Sequence, residues 1–211
     1  MITARRRSLR SRRRGDPGIT VLAVLLAALL LAGCGAAPAV SRHGAGVKVD
    51  TVELRAIKKE AGIATCRPGH AGKVAGGLPD VTLPCLGGGP DVDLARLRGP
   101  LVVNLWAQWC GPCRAELPRY QAFARKYAGT VRVLGIDYQD TQPRWALQLA
   151  RRSGVTYPLL ADPDGKLRAR GLPKILMVDA QGKVVYDEYG EISSVRQLER
   201  LVARHLGVTA G

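Results

Sequence analysis

The sequence is poor in histidine, the side chain that most often moves protons near neutral pH. Its 211 residues include only three, His43, His70 and His205, and they are scattered along the chain. No histidine-centred catalytic arrangement is therefore visible. Acidic residues are also scarce, at 17 against 32 lysines and arginines, so the formal net charge is +15. The central part of the chain has no internal repeat and no low-complexity tract, which excludes a repeat architecture.

No apolar run is long enough for an ordinary membrane-spanning helix, which needs about 20 residues. The run at 19–32 has fourteen residues and follows an arginine-rich head at 5–14. This combination is typical of a secretory signal peptide, which we place at residues 1–33, with an uncleaved membrane anchor as the alternative. A partial twin-arginine pattern at 6–9 leaves both export routes open. Because the arginines directly precede an export signal, we do not interpret them as a nucleic-acid-binding patch.

The end of the apolar run has a more specific signal. Leu31-Ala32-Gly33-Cys34 resembles the bacterial lipobox, in which the peptide is cut before the cysteine and the thiol is lipidated. The residues that follow have the composition of a flexible tether. We therefore expect lipidation of Cys34, a tether and N-terminal extension over 34–77, and a protein anchored on the extracytoplasmic face of the bacterial cell membrane. An unmodified thiol at Cys34 is the alternative.

Cys66 and Cys85 lie in segments rich in turn residues and have no short redox spacing. Disulfides persist in exported proteins, so we interpret these two cysteines as one structural disulfide worth roughly 2–4 kcal/mol. A zinc site is the alternative, because His70 follows Cys66 and a Cys-x-x-Cys motif lies downstream. Zinc sites, however, usually combine two short chelating motifs. We expect no bound metal and no cofactor.

Apolar periodicity beyond residue 99 predicts alternating strands and helices. The predicted order is β-α-β-α-β-β-α, with strands at 100–107, 131–137, 174–179 and 183–189 and helices at 113–129, 142–154 and 193–207. This order indicates an α/β fold with a central mixed β-sheet and helices on both faces. A short strand and turn are expected at 91–99, and a short helix within 48–64.

Cys110 and Cys113 lie where the first predicted strand meets the following helix, separated only by Gly111 and Pro112. A thiol at a helix start faces unpaired backbone N–H groups and the positive end of the helix dipole, which favour the thiolate. In such motifs the cysteine pKa falls from about 8.5 to roughly 3.5–7.5. We therefore predict a redox-active disulfide in which the exposed Cys110 attacks and Cys113, one turn inward, resolves the mixed disulfide. A permanent disulfide gains little chain entropy across so short a loop.

The stretch Trp-Ala-Gln-Trp-Cys-Gly-Pro-Cys-Arg-Ala-Glu-Leu-Pro at 106–118, with Gly-Leu-Pro-Lys at 171–174, resembles the thioredoxin superfamily. It is more closely similar to the TlpA/ResA-like thiol–disulfide oxidoreductases, whose pattern runs W-C-x-x-C-x-x-E-x-P. The similarity extends over about 78–207. It implies a thioredoxin-like fold for a domain at 78–211 and assigns Cys110 and Cys113 to catalysis.

The resemblance implies two further catalytic residues. Pro173 matches the family's cis-proline, which lies against the dithiol and leaves the Leu172 backbone free to pair with a substrate strand. Glu116 matches the family's acidic residue. It comes three residues after Cys113, on the same helix face, and would accept the proton of the inner thiol.

Other positions near the motif are also compared with the family. Pro118 matches a proline at a helix kink, whereas Lys174 stands where the family commonly has threonine, which affects substrate preference. Trp109 is expected to pack beside the dithiol and shield it. Trp106 is expected either beside the dithiol or in the core.

The resemblance implies a reductant of exported thiol proteins such as apocytochrome c, with a membrane thiol relay protein as the electron donor. An oxidant that forms disulfides in secreted proteins is an alternative. Copper binding by Cys110 and Cys113 is another, although Pro173 would obstruct the metal. A peroxidase would need a lone cysteine after a threonine, and none is evident. We expect a monomer that binds no nucleic acid.

Overall fold

The computed structural model of the protein describes residues 46–209. In that range lie four α-helices, which are α1 (Val52–Glu60), α2 (Gly111–Lys126), α3 (Pro143–Arg152) and α4 (Val195–Leu206). Two short strands form a hairpin, β1 (Thr82–Leu83) and β2 (Val92–Asp93). Five longer strands follow, which are β3 (Leu101–Trp106), β4 (Arg132–Tyr138), β5 (Leu159–Asp162), β6 (Lys174–Val178) and β7 (Val184–Tyr189). The predicted signal peptide and Cys34 lie outside the described residues.

The five longer strands form one mixed sheet in the order β5-β4-β3-β6-β7. Strand β4 is parallel to both β3 and β5, whereas β6 is antiparallel to both β3 and β7. All six residues of the central strand β3 are buried, as expected for an uninterrupted apolar run. The predicted α/β class with a central mixed sheet is confirmed.

The predicted elements beyond residue 99 agree with the structure to within three residues at each end, and α1 lies within the helix expected at 48–64. Two strands are absent from the prediction, the two-residue β1 and, beyond residue 99, β5. Strand β5 is a run of four residues between Pro158 and Pro163. A run of this length shows neither helical nor strand periodicity, so the sequence pattern did not reveal it.

The two faces of the sheet carry separate apolar clusters. Buried residues of all four helices belong to the first cluster, with Val102 and Val133 from the sheet. The second cluster contains Val103 and Ile136 and is covered by the β1–β2 hairpin. The helices thus pack on one face, where both faces were expected. The steps from β3 to β4 and from β4 to β5 run in the same direction, so right-handed crossovers place α2 and α3 on the same side.

The N-terminal extension contributes to the core. Helix α1 starts at the Thr51 cap and packs against α3. Leu54 and Ile63 are buried in the helical cluster, and the Ala64 N–H donates to the Thr156 carbonyl at 2.8 Å. The extension therefore packs as part of the same unit as the region after residue 78.

Among the helices of residues 46–209, none combines the length and the apolar character that a membrane span requires.

Gly135 in β4 is predicted to tolerate no side chain. A methyl group there would lie 2.5 Å from Cδ2 of Leu159 and 3.1 Å from the indole nitrogen of Trp106. Gly135→Ala should lower the free energy of unfolding by about 1–3 kcal/mol, because overpacking displaces neighbours in a dense core. Gly72→Ala is the matched control, since nothing lies within 4 Å of its added carbon. Equal denaturant midpoints for the two variants would contradict this packing.

Candidate active site

Strand β3 and helix α2 place the two cysteines of the Cys-x-x-Cys motif. After β3 ends, three loop residues lead to Cys110, which is the N-cap of α2. Cys113 lies in the first helical turn, and the two form a disulfide with Cα atoms 5.3 Å apart. The Cys113 backbone N–H donates to the Cys110 sulfur at 3.3 Å. The sulfur thus takes the place that a serine or aspartate oxygen commonly has at a helix start.

The start of α2 favours a thiolate at Cys110 once the disulfide is opened. Backbone N–H groups of a first helical turn lack partners within the helix, and the helix dipole adds partial positive charge. No acidic residue lies in this turn to offset that charge. Pro112, also in the first turn, removes no hydrogen bond that the helix needs. The local backbone therefore stabilises negative charge on the outer sulfur.

The exposure of the site differs from the prediction. Cys110 was expected to be exposed, but it is only 5% exposed in the disulfide form, and Cys113 is fully buried. The loop before α2 is hydrogen-bonded to the β4–α3 loop through Gln108 and Trp109. Trp109 was expected to shield the dithiol, yet it is 54% exposed and its indole N–H donates to the Gln139 carbonyl at 3.3 Å. Trp106 is fully buried core.

Asp140 holds the loop that precedes the dithiol, a role that the sequence analysis did not identify. Its buried carboxylate accepts hydrogen bonds from the backbone N–H groups of Gln108 at 3.0 Å and Gln142 at 2.8 Å. Asp137, at the end of β4, is also buried, and burial together with Asp140 raises its pKa well above the usual range. An aspartate two residues before Gln142 and close to Pro143 is a turn signal in the sequence.

Glu116 is fully buried on the same helix as Cys113 and three residues from it. Its Oε2 accepts a hydrogen bond from the Ile192 backbone N–H at 2.9 Å. Its Oε1 is buried and has no hydrogen-bond partner within residues 46–209. Burial raises the pKa of Glu116 to about 7, against the lowering effect of the Ile192 hydrogen bond. A carboxyl group with this pKa exchanges protons readily near neutral pH.

Two buried polar side chains extend this region beneath α2. Tyr120 follows Glu116 on the same helix, and burial together with the Glu116 carboxylate raises its pKa. Asn104 in β3 is fully buried on the sheet face that the helices cover, and neither atom of its amide has a partner in the described range. Apolar patterning placed Tyr120 on the inner face of the predicted helix and Asn104 within a buried strand, but it marked neither residue as part of a site.

Pro173 lies at the same end of the sheet as the dithiol. The Leu172–Pro173 peptide bond is cis, and Pro173 is buried. Strand β6 starts at Lys174, which pairs with Leu105 near the end of β3, so Pro173 is next to the point where β3 leads to Cys110. The Lys174 ammonium lies 2.6 Å from an Asp187 carboxylate oxygen and 4.6 Å from the centre of the Tyr189 ring. Lys174 is therefore turned toward β7.

A second disulfide joins Cys66 to Cys85, away from the Cys-x-x-Cys motif. Both cysteines are almost fully buried. The bond connects the N-terminal extension to a segment that pairs with the edge strand β5 through Cys85 and Leu160. Within residues 46–209, no three histidine, cysteine, aspartate or glutamate side chains are grouped as a metal site would require.

Comparisons with known proteins agree with this geometry. Residues 74–187 match the AhpC/TSA family. The thiol:disulfide interchange protein DsbE of Allochromatium vinosum is 35% identical over 140 residues, which cover 61% of this chain and 75% of that protein. The DsbE protein of Pseudomonas fluorescens biotype C is 35% identical over 134 residues, with 61% and 73% covered. The solved structure of MTB DsbF in mixed oxidized and reduced forms has a TM-score of 0.54 at 26% identity, covering 60% of this chain and 98% of that one.

The fold and the dithiol define a thioredoxin-like thiol–disulfide oxidoreductase. The chain belongs to the AhpC/TSA family, and within it the TlpA/ResA-like type that the motif indicates fits the relatives named above.

Glu116→Gln is predicted to remove a pH dependence of stability. The pKa of Glu116 is about 7 in the folded protein, against 4.5 for an ordinary glutamate. The stabilising effect of its proton is complete below pH 4.5 and is lost as the pH rises through 7. At pH 8 the variant should be more stable than the parent by up to about 3 kcal/mol, since glutamine keeps an acceptor for Ile192. Denaturant unfolding of the oxidised proteins measures this difference.

The exposed Glu188 provides the control, because Glu188→Gln should change the free energy of unfolding by less than about 0.5 kcal/mol, as is usual for a surface substitution. If the free energies of unfolding of Glu116→Gln and the parent changed with pH in parallel from pH 4.5 to 8, the buried carboxyl group would not have the raised pKa assigned here.

Proposed function

We propose that the protein is an extracytoplasmic, lipid-anchored thiol–disulfide oxidoreductase that reduces disulfides in exported proteins such as apocytochrome c. The observation that carries the proposal is the Cys110–Cys113 disulfide at the start of α2, with the buried Glu116 carboxyl one helical turn from the fully buried Cys113. The relatives at 35% identity are thiol:disulfide interchange proteins by name, which supports exchange with other proteins.

The reaction starts from the reduced protein. The Cys110 thiolate, stabilised by the start of α2, attacks one sulfur of a substrate disulfide and forms a mixed disulfide, while the other substrate sulfur leaves as a thiolate. Cys113 then attacks the Cys110 sulfur. The substrate departs with both cysteines reduced, and the protein is left with its Cys110–Cys113 disulfide. A membrane thiol relay protein returns the two electrons.

Glu116 supports the second step. Cys113 is buried and must lose its proton before it can attack, and water has little access to it. A carboxylate on the same helix face can accept that proton, because its pKa is close to the working pH. The unpartnered Oε1 of Glu116 is free to take it, since Oε2 is occupied by the Ile192 N–H. Glu116 thus acts as the general base for resolution.

The surface near Pro173 suits an extended protein segment. The Leu172 backbone N–H and C=O form no hydrogen bond within residues 46–209, and Leu172 lies just before β6, at the end of the sheet where β3 leads to Cys110. An unpaired backbone segment of this kind can pair with a substrate strand. Trp109, Gly111 and Pro112, which flank Cys110 in the chain, are exposed, so a polypeptide can contact the surface around the outer sulfur, which is itself only 5% exposed in the disulfide form. These features favour a protein substrate over a small molecule.

Trapping of substrate tests the assigned roles. Cys113→Ala should accumulate mixed disulfides on Cys110, because the resolving thiol is missing, whereas Cys110→Ala should accumulate almost none. A peptide with an oxidised Cys-x-x-Cys-His segment serves as the apocytochrome-like substrate, and mass spectrometry identifies the linked cysteine. In a protein with both cysteines intact, Glu116→Gln should slow the attack of Cys113 on the mixed disulfide by about 100-fold or more.

Two results would contradict this assignment. Equal trapping by the Cys110→Ala and Cys113→Ala variants would remove the distinction between attacking and resolving cysteines. A Cys110–Cys113 couple that equilibrates with glutathione almost entirely in the reduced form would identify an oxidant that forms disulfides in secreted proteins, because a stabilised reduced form makes the pair oxidising.

Lipidation is predicted at Cys34, on the basis of the Leu-Ala-Gly-Cys sequence that ends the apolar run. Protein recovered from the membrane fraction should start at Cys34 and have the mass of an attached lipid, as intact-protein mass spectrometry would measure. Cys34→Ala should release the protein from this fraction. Recovery of a mature chain that starts at another residue would show that the lipoprotein assignment is wrong.

A further inference from the structure

Lys58 is a buried cation that the proposed reaction does not use. It lies on α1, and only 6% of the residue is exposed. Its ammonium nitrogen is 2.9 Å from the Cys85 sulfur and 2.7 Å from the Gly88 carbonyl oxygen. Lysine is almost never this deeply buried without a charged partner. The contact with a disulfide sulfur therefore requires an explanation.

No carboxylate neutralises this ammonium group. Lys58 forms no ion pair in the part of the chain that the structure describes, where Asp50, the acid that acts on it, pairs with Arg55 at 2.5 Å. Burial lowers the pKa of Lys58, and Asp50 opposes this only in part. A carbonyl and a disulfide sulfur are neutral acceptors, which compensate incompletely for the lost hydration of a cation.

Reduction of the disulfide would supply the missing charge. Cys85 would then be a thiolate in direct contact with Lys58, and an adjacent ammonium is one of the environments that lower the pKa of a cysteine. The other sulfur also has a partner ready, because Sγ of Cys66 lies 3.2 Å from the Leu159 carbonyl oxygen, in position to donate as a thiol. The surroundings of both sulfurs thus suit the reduced state.

We propose that Cys66 and Cys85 form a second redox-active dithiol, in which Lys58 holds Cys85 as a thiolate and Leu159 accepts a hydrogen bond from the Cys66 thiol. The sequence suggests only a structural link. The contact with Lys58 gives that link a chemical role, because a disulfide opens faster when one of its sulfurs leaves as a stabilised thiolate.

The donor in this exchange is a dithiol, either on a small molecule or on another exported protein. One donor thiolate attacks the Cys66 sulfur, the Cys66–Cys85 bond breaks, and its electron pair goes to Cys85, which stays beside Lys58. The second donor thiolate then attacks the donor sulfur bound to Cys66. Cys66 leaves, takes a proton from water, and the donor departs as a disulfide. We place the first attack at Cys66, which is only 2% exposed in the disulfide form, because Thr65 and Arg67 beside it are exposed and no helix or strand holds them.

The test uses the full chain with Cys110→Ser and Cys113→Ser, so that only the second pair responds. The protein is equilibrated with graded ratios of reduced to oxidised dithiothreitol, and alkylated peptides that contain Cys66 and Cys85 are quantified by mass spectrometry. Lys58→Met should require an at least tenfold higher ratio for half reduction, because the cation is gone. Lys58→Arg should stay within about threefold, since it keeps the charge. Lys59→Met, on the exposed side of the same helix, is the matched control and should not change the ratio.

A second measurement needs no substitution of Lys58. In the reduced protein, alkylation rates against pH give the titration of Cys85, with Lys58, Asp50 and Arg55 as the charged groups on the elements around it. Cys85 should titrate below the pKa of about 8.5 of free cysteine. Titration at or above that value would overturn the proposal. So would identical half-reduction ratios for Lys58→Met and the parent, or a disulfide that opens only when the fold is lost.

Discussion

The docking of α2 against the loop before α4 fixes the reactive end of the molecule. The Ile192 backbone donates its N–H to Glu116 at 2.9 Å and accepts a hydrogen bond from the Arg119 guanidinium at 2.7 Å. Because α2 starts at Cys110 and carries Cys113 in its first turn, these two contacts hold both sulfurs and the carboxyl group as one rigid set. A rotation of α2 would break both Ile192 contacts.

This arrangement costs stability. A glutamate buried without a charge partner is destabilised whenever it ionises, and a buried amide without partners, as at Asn104, costs about 1–3 kcal/mol. An apolar pair of similar size would make a more stable core. Conflicts between local stability and burial of this kind are expected where a site needs a group with an altered pKa. Glu116 lies on the helix that carries the dithiol, and Asn104 lies on the sheet face that the helices cover. Both are therefore close to the group whose reactivity an altered pKa would serve.

The sequence was informative where a local pattern determines the structure. An uninterrupted apolar run predicted β3. The spacing of three residues between Cys113 and Glu116 predicted that both lie on the same face of the helix. The hydrogen bond that holds the loop before Cys110 could not be predicted, because its acceptor Asp140 lies about thirty residues later in the chain. The arrangement of the helices on one face could not be predicted either, since it follows from the direction of the step to β5, a strand too short to show a pattern.

The two disulfides place a sulfur beside positive charge in different ways. At Cys110 the charge comes from backbone N–H groups and the dipole of α2, which do not titrate, so this stabilisation of a thiolate is independent of pH. At Cys85 the charge belongs to Lys58, whose pKa is lowered by burial and would rise again on pairing with a thiolate. Stabilisation of a thiolate at Cys85 is therefore coupled to the protonation state of Lys58, which must remain an ammonium group. At the Cys110–Cys113 pair the outer sulfur of Cys110 has no such coupling. Proton exchange there takes place at the inner sulfur of Cys113, with Glu116 as the acceptor.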